Sequence, residues 1–314
     1  MARAIVYTEF GSPAVLHEME IPDPIAARGE VVVRIEAAGA NPIDAKLRSG
    51  ARPSPEITEP RPVGFDGAGV VELVGEGVEG FAVGDRVAIR DTRGTYASAI
   101  AVPAEKLVLL PDAVTVAEAA AIGIPAGTAL QALRSLGVTR GDVLLVHGGS
   151  GSVGQAVVQF AVAEGATVIA TASPARHDLL RELGAIPISY DEGLLQRVRD
   201  AAPAPVTVAL DCAGTDEAIE TSLALVADRE RIATIVRGPD AASFGIRAFS
   251  GGSPVPLTEQ ELAWRAEALE KTVELLAAGD FTIELGPELP LAEAARAHEL
   301  METGAADGKI ILVP

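Results

Sequence analysis

Three glycines at fixed spacing, Gly149, Gly151 and Gly154, end the stretch VLLVHGGSGSVG. An apolar strand-like run leads into them, and an apolar helix-like run, VGQAVVQFAVAEG, leads out. G-x-G-x-x-G alone is a weak signal in a chain with 32 glycines. Between a strand and a helix it describes a turn that holds a dinucleotide. Glycines let the backbone approach a pyrophosphate, and the helix N-terminus adds N–H donors and the positive end of a dipole. Gly149, Ser150, Gly151, Ser152, Val153 and Gly154 are therefore expected to bind a cofactor. A carboxylate after the next strand would select the ribose 2′-hydroxyl of NAD. VIATASPARH has none, but it offers the hydroxyls of Thr171 and Ser173 and the guanidinium of Arg176. That set suits a 2′-phosphate, so the expected cofactor is NADPH.

A second group of chemically able side chains lies in NPIDAKLRSG, residues 41–50, with Asn41, Asp44 and Lys46 close together. The chain has few lysines, namely Lys46, Lys106, Lys271 and Lys309. Whether Lys46 reacts or merely charges a loop depends on what surrounds it. No metal site is expected, because one cysteine and four scattered histidines (His17, His147, His177, His298) lack zinc-ligand spacing. Cys212 reads as a small buried residue, His147 as structural, and Tyr96 as packing rather than a proton donor.

These residues must be positioned by two kinds of structure. Residues 1–110 read as β-rich, with short apolar or alternating runs punctuated by Gly, Pro and Asp. Residues 51–62 hold four prolines and read as a loop. From Thr115, a plausible N-cap with Glu118 three residues on, the pattern turns helical. Gly123, Pro125 and Gly127 interrupt it, which predicts two helices. Strands and helices then alternate, as in a parallel sheet flanked by helices. A long helix follows, with Thr258 and Glu261 at its start and Gly279 at its stop, then a shorter helix and the closing strand KIILVP.

The 314 residues suffice for two domains, and a net charge of −19 disfavours nucleic acid and anionic membranes as partners. No uninterrupted apolar run is long enough for a membrane span, and the N-terminus lacks a signal-peptide core. A cytoplasmic protein is expected.

RPVGFDGAGVVELVGEGVEGFAVGDRV (61–87), with NPIDAKLRSG, HGGSGSVG and GKIILVP, resembles the medium-chain dehydrogenase/reductase superfamily, in order along nearly the whole chain. The resemblance implies an α/β protein: a GroES-like β-barrel catalytic domain over 1–117 and 255–314, and a Rossmann doubly wound parallel sheet over 118–254, with a cleft between them. It also implies that the last segment returns to the barrel. Zinc members of the superfamily carry Cys where Asn41 stands and His-Glu where Phe65 and Asp66 stand, and the four-Cys zinc lobe is missing here.

NPIDAKLRSG looks most like the zinc-free quinone oxidoreductase branch, and within it the alkenal/enone oxidoreductases. The expected reaction is NADPH-dependent reduction of quinones or α,β-unsaturated carbonyls. Several relatives have a Tyr where this chain has Arg52, so that proton donor is absent. Lys46 and Asn41 are expected to stabilise the oxyanion that forms on the substrate carbonyl, with Asp44 beside them and water as proton source. The competing reading is that Asn41 and Asp44 only cap the turn and Lys46 pairs with Asp44 or solvent. The resemblance also places Thr128 near the nicotinamide and Lys309 near the cofactor phosphates. It suggests a homodimer joined through Rossmann edge strands, at FGIRAF (244–249). Loops 51–62 and 238–256 are expected to set the substrate. An enoyl-thioester reductase and a non-catalytic NADPH-binding sensor are the alternatives.

Overall fold

A computed structural model of the chain describes residues 1–249 and 255–314. They divide into two compact units, Met1–Ile124 with Leu269–Pro314, and Pro125–Ala268. The divisions fall inside helices, a few residues beyond the first expected boundary and well beyond the second.

The first unit opens with β1 (Ala2–Tyr7), β2 (His17–Ile21) and β3 (Glu30–Gly39), then α1 (Pro42–Arg48). Next come β4 (Arg61–Pro62), β5 (Asp66–Val74), β6 (Arg86–Ile89), β7 (Ala99–Pro103), β8 (Leu107–Leu109) and the first part of α2 (Val116–Ser135). β2, β1 and β4 form one antiparallel sheet. β3 pairs antiparallel with β5 and β7, and two register shifts bend its ladder with β5. Val31, Val33 and Ile35 of β3 pack with Ile5, Val71, Val87 and Val102 in one apolar core. β-branched side chains suit such a pleated, buried surface.

The second unit continues with β9 (Val143–His147), α3 (Ser152–Ala163), β10 (Thr167–Thr171), α4 (His177–Glu182), β11 (Ile186–Ile188) and α5 (Leu194–Ala201). It goes on through β12 (Val208–Asp211), α6 (Asp216–Leu225), β13 (Ile232–Thr234), α7 (Gly238–Phe244), β14 (Arg247–Ala248) and much of α8 (Glu259–Ala278). Its strands are all parallel, in the order β11-β10-β9-β12-β13-β14. The order reverses at β9 and β12, and a ligand site in such a sheet lies at the carboxyl ends of the strands there. β15 (Leu285–Pro290), α9 (Ala294–Thr303) and β16 (Lys309–Val313) return to the first unit, where β16 pairs with β3.

Several local expectations change. Residues 42–48 are a helix rather than an open turn. Pro42 supplies the fixed φ that suits a first helical position, and Asp44 accepts the backbone N–H of Asn41 at 2.9 Å. Residues 116–135 form one helix, not two, with Pro125 inside it. Glu118 closes the expected cap on Thr115. α2 is also long and apolar enough to cross a membrane, which counting uninterrupted apolar runs overlooks; 72 % of its apolar window is buried in the protein itself. Part of the expected loop 238–256 is α7 and β14, while Ser250–Pro254 lie outside the described residues. β11 is three residues long with a proline inside it, and α5 is only about two turns long, so neither gives a periodic pattern of readable length.

Candidate active site

At the end of β3 the chain turns into α1, and the first unit gathers its buried polar groups there. Asn41 is 1 % exposed. Its side-chain amide donates to the carbonyl of Gly39 at 3.1 Å and to Asp66 Oδ2 at 2.9 Å. Its Oδ1 accepts the ammonium of Lys309, which also lies 3.3 Å from Asp66 Oδ2. Asp66 Oδ1 accepts the backbone N–H of Ile124 at 2.8 Å. That contact accounts for the odd sequence of α2. A Cβ on Gly123 would collide with Asp66 Oδ1, so the glycine admits the carboxylate to the helix just before Pro125.

Asp44 stands one turn from Asn41. Its Oδ2 also accepts the hydroxyl of Tyr96 at 3.1 Å, and that hydroxyl lies 3.4 Å from His298 Nε2. Asp44, Asp66, Tyr96, His298 and Lys309 are all buried. Beside Asp44 lies a small recess of about 10 Å³, room for about one water, whose lining includes Tyr7, Val63, Phe65 and Arg93.

Burial governs the charges of this cluster. It raises the Asp44 carboxyl to about 7, against the pull of the Asn41 N–H and with the help of the Asp66 charge. It raises Asp66 as well, opposed chiefly by Lys309. It lowers Lys309, opposed by Asp66 and Asp44. Two carboxyls facing one ammonium are best balanced when Asp66 and Lys309 form the ion pair and Asp44 keeps its proton. The Tyr96 phenol is pushed well up, again mainly by burial. His298 is pushed down to about 3 by burial and then by the nearby Arg48 charge.

Lys46 is different. It is half-buried, and among the described residues its ammonium has no hydrogen-bond or ion-pair partner; it does not reach Asp44. Burial lowers its pKa, and Arg52 adds like-charge repulsion.

In the second unit the glycines follow β9. Gly148 has φ +76° and makes the turn. Its N–H donates to the Thr171 hydroxyl at 3.0 Å, and the Gly149 N–H to the Thr171 carbonyl at 2.9 Å. The two outer fingerprint glycines are demanded by packing. A Cβ on Gly149 would meet Ala170 Cβ at 2.7 Å, and one on Gly154 would meet Gly149 Cα at 2.7 Å. Gly151 is different: a Cβ there would find only the Gly148 carbonyl at 3.7 Å. The fold has no need of a glycine at that position, which caps α3, whereas a pyrophosphate close to the backbone does. The turn therefore fits a dinucleotide. Ser150, Ser152 and Val153 stand on it, partly accessible. Ser173 opens the short turn Pro174–Arg176 that follows β10. Thr128 is buried in α2 in this same unit.

Lys309, expected near cofactor phosphates, lies in the Asn41–Asp66 network instead. Its buried ammonium occupies the space between Asn41 Oδ1 and Asp66 Oδ2. This donor set does not suit a zinc ion, and among the described residues no three of His, Cys, Asp and Glu converge as a metal site requires. His147 is buried against the Ser222 hydroxyl at 3.1 Å, and burial pushes it down to about 4. Burial and then Asp211 push the Cys212 thiol up, away from nucleophilic chemistry. Sequence reasoning did not find Asp66, Tyr96 and His298 as partners. The signals were a carboxylate beside the apolar run of β5 and a helix interrupted by Gly and Pro for no local reason.

A mostly antiparallel β unit built from both ends of the chain, with a six-stranded parallel sheet carrying a dinucleotide turn, is the plan of the medium-chain dehydrogenases and reductases. Comparison with known proteins makes this specific. Residues 27–112 match the alcohol dehydrogenase GroES-like domain, and residues 183–312 match a domain described as zinc-binding dehydrogenase. The quinone oxidoreductase of Pseudomonas aeruginosa is 35 % identical, with 100 % of each chain covered. That of Salmonella typhimurium is 33 % identical, again with 100 % of each covered. The solved Escherichia coli quinone oxidoreductase, complexed with NADPH, superposes with a TM-score of 0.83 at 28 % identity, covering 99 % of this chain and 100 % of that one. The chain belongs to the quinone oxidoreductases of the medium-chain dehydrogenase/reductase superfamily, and it is an oxidoreductase.

Proposed function

We propose that this oxidoreductase reduces quinones and α,β-unsaturated carbonyls with NADPH and without zinc. The observation that carries the reading is Lys46: a half-buried ammonium with no described partner, on the same short helix as buried Asp44. Bound NADPH would supply the hydride. Negative charge then develops on the substrate carbonyl oxygen, and a partly desolvated cation stabilises it. Lys46 takes that role. Asn41, whose two amide hydrogens are already donated to Gly39 and Asp66, acts by fixing the start of α1 and so the placement of Asp44 and Lys46.

The backbone of Gly149–Gly154 receives the pyrophosphate, Thr128 stands toward the nicotinamide, and Ser173 and Arg176 receive the 2′-phosphate. Thr171 serves by holding the glycine turn through its hydroxyl. β14 is one edge of the parallel sheet among the described residues, β11 being the other, and pairing of two β14 edges would make a homodimer. Gel filtration should then give twice the 32.2 kDa chain mass.

The test is consumption of NADPH, against NADH, with 1,4-benzoquinone, 9,10-phenanthrenequinone, a cyclic enone and crotonyl-CoA. Turnover of a quinone or the enone with at least tenfold preference for NADPH is expected. Turnover of crotonyl-CoA alone would make the protein an enoyl-thioester reductase. Tight NADPH binding with no turnover would make it a sensor.

A further inference from the structure

The reduced substrate must also gain a proton, and Lys46, assigned to the oxyanion, does not supply it. The hydrogen bonds behind Asp44 offer a source. Asp44 Oδ2, the Tyr96 hydroxyl and His298 Nε2 form an unbroken line, with separations of 3.1 and 3.4 Å. The Tyr96 and His298 rings meet edge to face, 5.9 Å between centroids at 82°. At the two ends of the line are Asp44 Oδ1 and His298 Nδ1, both buried and both without a hydrogen-bond partner among the described residues. Buried polar atoms are nearly always paired, so two orphans terminating one bonded line call for an explanation.

We propose that Asp44, Tyr96 and His298 are a proton relay, with Asp44 the acid that protonates the reduced substrate and Tyr96 and His298 the residues that restore its proton. This rests on the reductase reading above. Asp44 borders a recess with room for about one water, lined also by Phe65 and Arg93, whose guanidinium lies 5.6 Å from the Phe65 ring centroid, and a water there would carry the Asp44 proton to the substrate. In the step, the Asp44 O–H bond breaks and an O–H or C–H bond forms on the substrate anion. The Tyr96 hydroxyl proton then passes to Asp44 and the Nε2 proton of His298 to Tyr96; between turnovers, when solvent reaches buried Nδ1, that nitrogen takes up a proton from water and tautomer exchange restores the Nε2 proton. One proton enters, one leaves, and nothing is oxidised or reduced beyond the substrate and NADPH.

The groups around the line fit this use. Asp66 and Lys309 lie on the Asn41 side of Asp44 and pair with each other, leaving Asp44 to hold the proton. A carboxyl near 7 is suited to give up a proton at neutral pH. Burial, and then the charge of Arg48, itself paired with Glu302, keep His298 uncharged, so the imidazole passes a proton on by changing tautomer rather than storing it.

The relay is tested first without any substrate, by carbon NMR of the aspartate carboxyls in the whole protein. One resonance should titrate near neutral pH, vanish in Asp44→Asn, and move to higher pH in Tyr96→Phe, which removes a hydrogen bond that lowers it. His298→Gln keeps a polar group but cannot change tautomer, so it should leave that titration within half a unit. Turnover is the second reading. Tyr96→Phe and His298→Gln should each lower kcat about 100-fold, with KM within twofold and an enlarged solvent deuterium isotope effect. An Asp44 titrating in the ordinary carboxylate range, or variants with an unchanged kcat–pH profile, would overturn the relay. If no acceptor is turned over, the reductase reading fails, and an Asp44 resonance that titrates near neutrality without moving in Tyr96→Phe still rejects the relay.

Discussion

The glycine turn of the second unit and the buried cluster of the first are the two candidate functional regions, and they are encoded in opposite ways. The turn is local: six consecutive residues, 149–154, running from the end of β9 into the first turn of α3, carry it, and each glycine has its own reason. The cluster is assembled from five separate places in the chain, at Asn41 and Asp44, Asp66, Tyr96, His298 and Lys309. The turn depends on what is missing, namely Cβ atoms. The cluster depends on its buried charges having counterparts, as Lys309 has in Asp66, so it is the part that single substitutions should damage most.

Lys309→Met should show this most strongly. It leaves the Asp66 carboxylate buried and unpaired, a loss of about 3–5 kcal/mol of stability, read from urea unfolding. Adding Asp66→Asn should recover much of it, because the orphaned charge is then gone.

The Asp44 carboxyl gives a contrast that depends on pH. Folded, it holds its proton to about pH 7, whereas its unfolded counterpart releases it near 3.8. Folding therefore takes up a proton in that window, and this contribution to stability is lost as pH rises from about 4 to 7. Asp44→Asn should gain on the wild type across the same window, by up to about 4 kcal/mol, in unfolding curves run at pH 5 and 8. His298 and His147 work in the other direction. They stay neutral in the fold down to about 3 and about 4, while the unfolded chain takes up protons below 6.5, so their contribution is lost as pH falls.

The turn yields smaller and more selective effects. Gly154→Val forces a side chain onto the Gly149 backbone and should cost about 3 kcal/mol of stability. Gly151→Ala meets nothing closer than 3.7 Å and should keep the wild-type Tm. It should still weaken NADPH binding about tenfold, which is about 1.4 kcal/mol, in a fluorescence titration. An equal loss of Tm in both variants would remove the case for a ligand at Gly151.

The legibility of the sequence follows the same division. The parallel sheet and its turn could be read because alternating apolar runs and glycine spacing are local patterns. So could the caps at Thr115 and Thr258, whose partners are three residues away. The unity of α2 could not. Gly123 and Pro125 look like helix breakers until Asp66, far away in sequence, is seen to occupy the gap they leave. Lys309 read as a phosphate contact because its counterparts, Asn41 and Asp66, are brought to it only when β16 pairs with β3. Tyr96 read as packing because a phenol ring looks the same in a core whether or not its hydroxyl meets a carboxyl.

The central claim is that of the two lysines in the first unit's site, buried Lys309 organises and unpartnered Lys46 reacts. It is tested most directly by NADPH oxidation with 9,10-phenanthrenequinone in Lys46→Met beside the wild type, with NADPH affinity measured separately. The account predicts a 100- to 1,000-fold fall in kcat with the Tm and NADPH affinity unchanged. An unchanged kcat would contradict it and leave Lys46 a charge on the surface of α1.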